Sequence, residues 1–295
     1  MTCLIGPADQ SALPACLALL PMMAMPDAEL FVARDAEGKL LGAGGLSWRG
    51  WRNPAGFPMM VHVLPDSRRL GVGRALVRAL VDRARGEADR LWVAQALEEG
   101  SEAAAFARAC GFGAGARQLH FEADTPSFDA HVGGLIARMR ARGRISPDVQ
   151  TVTLAEVPLE EVARLVSIEF RAAPPHIRRL LEQARHEDPD SAPISFTMSR
   201  ALMIDGALAG ALLLNWNHGQ VTIVANVVAP RWRRGWANLL LLADTTRAAV
   251  EWGCKTFRFD CADDNRDTIG LAIRGEAAHR MTSVHYCYAL TSPAD

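Results

Sequence analysis

The sequence predicts an α/β (α+β) fold that is built twice along the chain. Three observations carry this. The same order of hairpin, proline-terminated strand and helix occurs in both halves. Short apolar runs bounded by turn residues alternate with stretches at helical spacing. A chain of 295 residues also has room for two domains of ordinary size, each with its own core.

The elements follow in order. Leu30 to Ala33 reads as a strand, Asp35 to Lys39 as a polar turn and Leu40 to Leu46 as the returning strand. The second half repeats the pattern with Ala201 to Ile204, the turn Asp205-Gly206, and Leu208 to Leu214. Asp-Gly between apolar runs signals a hairpin, because both central positions need a positive φ that these residues tolerate. A third strand then ends in proline each time: Met59 to Leu64 before Pro65, and Val221 to Ala229 before Pro230. Val72, Leu76 and Leu80 recur at every fourth position, which predicts an amphipathic helix, and a more apolar partner runs from Trp236 to Glu251. Strands at Leu91 to Ala94 and Thr256 to Asp260 precede short helices around Ala103 to Ala109 and Thr268 to Ile273. The halves close with strands at Gln118 to Glu122 and Ser283 to Leu290. Between them, a helix from Phe128 to Arg142 lies between Pro126 and Pro147. Its Arg138, Arg140 and Arg142, with Arg144 just beyond, read as a solvated face, with a nucleotide phosphate contact as the alternative.

Composition narrows the function. With 49% hydrophobic and 22% charged residues, the chain has the profile of a globular protein rather than a disordered or fibrous one. The 32 basic and 33 acidic residues nearly cancel, so the chain lacks the field a dedicated nucleic-acid binder needs, and any anion site is local. Cys3, Cys16, Cys110, Cys254, Cys261 and Cys287 form no Cys-x-x-Cys pair, and no histidine cluster has metal-ligand spacing, so no metal site is expected. They read as free thiols of a reducing cytoplasm. The apolar stretch Leu13 to Met25 imitates a signal, but no basic residue precedes Arg34, and Pro14 and Pro21 interrupt it. A buried helix and loop is the expectation, with no membrane partner.

The most informative run is Val61 to Leu76, an arginine-rich turn with Gly71 and Gly73 between a strand and a helix. Such a turn is an anion cradle: the first helical amides have no acceptor within the helix and sit at the positive end of its dipole. Glycines let the backbone come close to a pyrophosphate, and Arg68 and Arg69 add charge.

In this strand, turn and helix setting, Arg68-x-x-Gly71-x-Gly73 after Pro65 resembles the acetyl-CoA signature of the GNAT superfamily of N-acetyltransferases. Phe106 to Phe112, ending Cys110-Gly111-Phe112, is similar to the second family motif. The repeated element order extends the resemblance to nearly the whole chain, in an arrangement similar to tandem GNAT proteins such as mycothiol synthase. The resemblance implies two GNAT-type domains, each a mixed, mostly antiparallel sheet flanked by helices. We expect an N-terminal domain over 1–124 with an intact motif, a helical linker over 125–150 and a C-terminal domain over 151–295. In the last, Pro230 to Ala237 is one residue shorter between proline and glycine, and Trp232 stands where the family has arginine or glutamine. A degenerate domain kept for packing and an atypical second CoA site are both open readings.

The resemblance further implies acetyl-CoA as the acyl donor, bound by Arg68, Arg69, Leu70, Gly71, Val72, Gly73 and Arg74. The pantetheine arm would pair with the strand Val61 to Leu64, with Val61 and Val63 as contacts. Attack on the thioester needs a neutral amine, hence a base or a water chain. His62, on that strand and facing away from Val61 and Val63, is the first candidate; a histidine merely hydrogen-bonded in the sheet is the other reading. Asp260 is the second candidate, against a solvated acidic loop with Asp263 and Asp264. The family's tyrosine acid has Ala107 in its place here, and the chain's two tyrosines, Tyr286 and Tyr288, lie on its last predicted strand. The expected activity is direct acetyl transfer to a small-molecule or peptide amine by a monomer or homodimer. A non-catalytic CoA-binding scaffold and an aminoacyl-tRNA-dependent transferase are the competing functions. Acceptor choice would fall to variable loops such as Ser47 to Phe57, with Trp48 and Trp51.

Overall fold

The structure, a computed structural model, describes residues 3–24, 27–47, 56–170, 174–186, 193–217, 219–233 and 235–290. Trp48 and Trp51 therefore lie outside the described residues. In chain order the elements are β1 (Leu4–Pro7), α1 (Leu13–Leu19), β2 (Ala28–Arg34), β3 (Leu40–Ser47), β4 (Gly56–Val63), α2 (Val72–Ala84), β5 (Arg90–Val93), β6 (Leu97–Glu98) and α3 (Glu102–Ala109). Then come β7 (Gly113–Asp124), α4 (Thr125–Ala141), β8 (Gln150–Thr153), α5 (Leu159–Phe170), α6 (Pro174–His186), β9 (Arg200–Ile204), β10 (Ala207–Asn217), β11 (Gln220–Val228), α7 (Ala237–Glu251), β12 (Thr256–Ala262), α8 (Arg266–Arg274) and β13 (Ala278–Ala289). The chain divides into two compact units, one of Met1–Arg117 with Ser283–Asp295 and one of Gln118–Thr282.

In the first unit, β1, β2, β3 and β4 pair antiparallel in that order. β4 then pairs parallel with β5, and the end of β13 pairs antiparallel with β5 and β6. The apolar stretch near the start forms α1, but the helix is not buried as expected: of its residues only Cys16 is buried, while Leu13 and Leu17 are exposed. α2 packs on the sheet through Val72, Leu76, Val77, Leu80, Val81 and Ala84, all buried. Full burial of one such aliphatic side chain contributes about 1.5–3 kcal/mol, so this stripe fixes the helix that carries the glycine turn.

The second unit repeats the plan with β8, β9, β10 and β11 antiparallel, β11 parallel to β12, and β12 antiparallel to Gln118–Asp124 of β7. The strand pairing in each unit is thus mixed and mostly antiparallel. Asp205 and Gly206 both have positive φ, 52° and 73°, as the Asp-Gly hairpin requires. α4 runs directly on from β7, capped by Asp124, which accepts from the Ser127 amide at 3.0 Å. Its Phe128, Val132 and Ile136 enter the second unit's core beside Phe257 and Phe259. α5 and α6 extend the second unit beyond the elements read from the sequence.

The closing strands are a correction. Tyr286 and Tyr288, expected with the second half, belong to the first unit. Tyr286 is buried there, and its hydroxyl accepts from Arg108 at 2.7 Å, while Tyr288 packs on Phe112 at 5.3 Å between ring centroids.

Candidate functional site

β4 sets the site's floor. Its parallel pairing with β5 covers only Gly56↔Arg90 to Met59↔Val93, and the Ala94 amide donating to the Met59 carbonyl at 2.8 Å is the last contact. Beyond it the strands part, so the edge of β4 from Met60 to Val63 is unpaired toward β5 among the described residues, while β3 holds the other edge through Gly42↔Val63. The side chains of Val61 and Val63 pack with Val72 and Leu76 of α2. His62 is half-buried and points to the opposite face, where Met60 packs against the cluster around α1.

After β4 the chain makes one 3-10 turn over Pro65–Ser67 and then a sharp bend. Arg69 has φ 61° and Gly71 φ 86°, both left-handed. Gly71 caps α2, whose first intrahelical bond is Ala75 N–H to the Gly71 carbonyl at 3.0 Å. The amides of Val72, Gly73 and Arg74 therefore have no backbone acceptor among the described residues. The first turn of α2 carries no acidic residue that would offset the positive end of the dipole.

The two glycines serve different needs. A Cβ on Gly71 would meet nothing within 4 Å, so this position needs glycine for its φ and leaves open space in front of the turn. A Cβ on Gly73 would come 3.0 Å from Phe106 Cζ and 3.3 Å from Val63 Cγ2. Gly73 thus makes room for a ring of α3, where the sequence reading had it make room for pyrophosphate.

α3 lines one side of the turn. Glu102 Oε1 is 3.0 Å from Arg69 Nη2, Phe106 covers Gly73, and Cys110 is near Arg74; burial pushes the Cys110 thiol upward, opposed by the charge and hydrogen bond of Arg74. Arg68 donates from Nε to the Val63 carbonyl at 3.2 Å and so ties the turn to its strand. Ala107, at the family's tyrosine position, is buried in the first core. Sequence reasoning singled out the turn but not Glu102 or the contact made by Phe106. Their spacing with Cys110, at i, i+4 and i+8 on one helix face, was the available signal.

The corresponding turn of the second unit is built differently. β11 and β12 also pair only briefly, from Gln220↔Thr256 to Thr222↔Arg258. A 3-10 turn over Pro230–Trp232 follows, and Arg233 Nε donates to the Val228 carbonyl at 3.1 Å. Arg233, not Trp232, is thus the counterpart of Arg68; counting from the proline finds it, whereas counting from the glycine does not. The chain then turns right-handed at Arg233, and Trp236 caps the helix where the first unit has Gly71. Trp232 and Trp236 pack together, 6.0 Å between centroids, against the second core.

Asp260, the other candidate base, lies opposite His120 across the β12–β7 ladder, with Oδ1 2.6 Å from His120 Nδ1. Next along the same face, Glu122 bonds Arg258 and Arg280. All six cysteines are free, no group of acidic, histidine or cysteine residues could hold a metal ion, and no helix is long and apolar enough to cross a membrane, the last two among the described residues.

Both halves of the chain match known families. Residues 7–112 match the model of the acetyltransferase (GNAT) family, and residues 136–266 match that of an acetyltransferase (GNAT) domain. The chain belongs to the GNAT superfamily, with two domains in tandem. GNAT structures also share its fold. A tandem GNAT protein from the clavulanic acid biosynthesis pathway is 18% identical, with both chains covered completely and a TM-score of 0.62. A GCN5-related N-acetyltransferase from Sphaerobacter thermophilus is 15% identical over 99% of this chain and 97% of that one, at 0.62. One from Anabaena variabilis is 12% identical over 98% of this chain and 73% of that one, at 0.63. Such identities speak for the fold alone. No curated protein matches the chain. Membership of this family makes acyl transfer the general chemistry of the GNAT chain.

Proposed function

We propose that this GNAT chain moves an acetyl group from acetyl-CoA directly to a primary amine of a small molecule or peptide, with the donor held by the first unit. The observation that carries the reading is the turn from Arg68 to Arg74. Three acceptor-free amides, at a helix N-terminus whose first turn carries no acidic residue, face open space left by Gly71, which suits a diphosphate. The unpaired edge of β4 beside it suits an extended amide chain such as pantetheine. The donor supplies a thioester whose thiol leaves far more readily than an amine.

On this reading Val61 and Val63 offer backbone groups to the pantetheine amides, and Arg68 and Arg69 add charge at the turn. His62, half-buried on the same strand, is the side chain we assign to take the acceptor's proton. Asp260 remains a second candidate in the other unit, its carboxylate oriented by His120. The buried Ala107 supplies no hydroxyl for the departing thiolate, so we assign no protein acid to that step. The same residue motivates a second reading, a CoA-binding protein without turnover. The free thiols favour a reducing compartment such as the cytoplasm.

A thiol-release screen of amines, amino acids, aminoglycosides and peptides with acetyl-CoA tests the proposal. At least one acceptor should give acetyl-CoA-dependent thiol release that falls in His62→Ala. CoA binding with no release from any acceptor would favour the second reading.

A further inference from the structure

The contact between the turn and α3 suggests a role for Glu102, an inference that rests on reading the turn as an acyl-CoA site. Arg68 is already anchored to the Val63 carbonyl, and Arg74 lies by Cys110. Arg69 is the motif arginine whose guanidinium is held by a carboxylate, 3.0 Å from Glu102. Its backbone sits at φ 61°, an uncommon conformation for a residue with a side chain. Both partners are 84–87% exposed, so the pair is solvated and easily exchanged for another anion.

We propose that Glu102 is a built-in competitor for the phosphates of the acyl donor. Its carboxylate partly neutralises Arg69 and occupies one of its donors, so a phosphate that takes the guanidinium competes with it. The same negative charge acts on any anion bound at the amides of Val72, Gly73 and Arg74. Glu102 therefore lowers affinity for donor and for product CoA alike, and so speeds product release, a step that limits many enzymes. It is a tuning residue that acts through Arg69 and the local charge, without touching the reacting atoms.

Calorimetry with CoA on the full chain tests this. Glu102→Gln should tighten Kd roughly fivefold at low ionic strength, with the gain shrinking as salt is raised. Glu102→Ala, which removes the charge but keeps a good helix former at the first position of α3, should tighten it similarly and serves if the glutamine variant is poorly folded. In an Arg69→Ala background the gain from Glu102→Gln should be smaller. Tight wild-type binding that Glu102→Gln leaves unchanged or weakens, with an unaltered melting curve, would overturn this inference alone. Absence of CoA binding by the wild-type chain would overturn the site reading along with it.

Discussion

Gly73→Ala separates the two reasons for glycine in the turn. Gly73 is the second residue of α2, where alanine gains up to about 1 kcal/mol of helix propensity over glycine. Against this, the new methyl carbon would lie 3.0 Å from Phe106 Cζ, 3.3 Å from Phe106 Cε2 and 3.3 Å from Val63 Cγ2. Overpacking of this kind costs about 1–3 kcal/mol, so the net change should run from about neutral to 2 kcal/mol destabilising. In a Phe106→Ala background the nearest contacts vanish, and the same substitution should be neutral or stabilising by up to about 1 kcal/mol. The coupling between the two sites is then about 1–2 kcal/mol. Gly71→Ala behaves otherwise. It meets no neighbour but must hold φ 86°, costing about 1–2 kcal/mol in either background. Hydrogen exchange of the α2 amides reads the first unit locally and avoids assuming that the two units unfold together. An equal cost of Gly73→Ala with and without the Phe106 ring would refute the reasoning.

Three further outcomes follow from the same geometry. Tyr286→Phe removes the buried acceptor 2.7 Å from Arg108, whose exposed side chain can regain water, so it should cost only about 0.5–1.5 kcal/mol by hydrogen exchange of the first unit, with CoA affinity unchanged. Hydrogen bonds from Arg258 and then Arg280 hold the Glu122 carboxyl below its ordinary range, with burial opposing. A lowered folded-state pKa stabilises the fold above the unfolded value and is lost as pH falls through the folded one. Glu122→Gln should therefore lower the melting temperature at pH 7, and the gap should close on acidification; a gap that widens in acid contradicts the assignment. Burial, reinforced by Asp260 and Asp263, raises the Cys261 thiol to about 11, so it should resist alkylation at pH 8 in the folded chain while half-exposed Cys3 reacts.

Much of this fold is legible in the sequence because its turns are written in residues with few alternatives. Asp205-Gly206, the prolines before each turn and Gly71 with its left-handed φ all mark places where backbone geometry restricts residue choice. The stripe of α2 is legible for a similar reason, since period alone reveals a helix packed on one face. The partners of the closing strands are not. Alternation along Gln118–Asp124 or Ser283–Ala289 shows which face is buried but not which strand lies alongside, and nothing local tells β12 from β5. The ring over Gly73 and the carboxylate at Arg69 come from α3, about thirty residues along the chain from the turn, so the motif alone does not reveal them. Spacing misled at Trp232 because the second turn runs the same length from proline to helix cap but carries its glycine one position before the cap, which shifts the glycine but not the arginine.

The account's central claim is that the acyl donor is held by the turn of the first unit. Calorimetry with acetyl-CoA on Gly71→Val and Gly235→Val tests it most directly. Gly235 has φ 139°, so valine there should strain its own turn and lower the stability of the second unit. Donor affinity should nevertheless stay within about twofold of wild type, because the amides of Val72, Gly73 and Arg74 are untouched. Gly71→Val puts a branched side chain at φ 86° in front of those amides, and binding should be lost from a chain that still folds. Loss of acetyl-CoA binding in Gly235→Val with wild-type affinity in Gly71→Val would place the donor in the second unit and contradict the account.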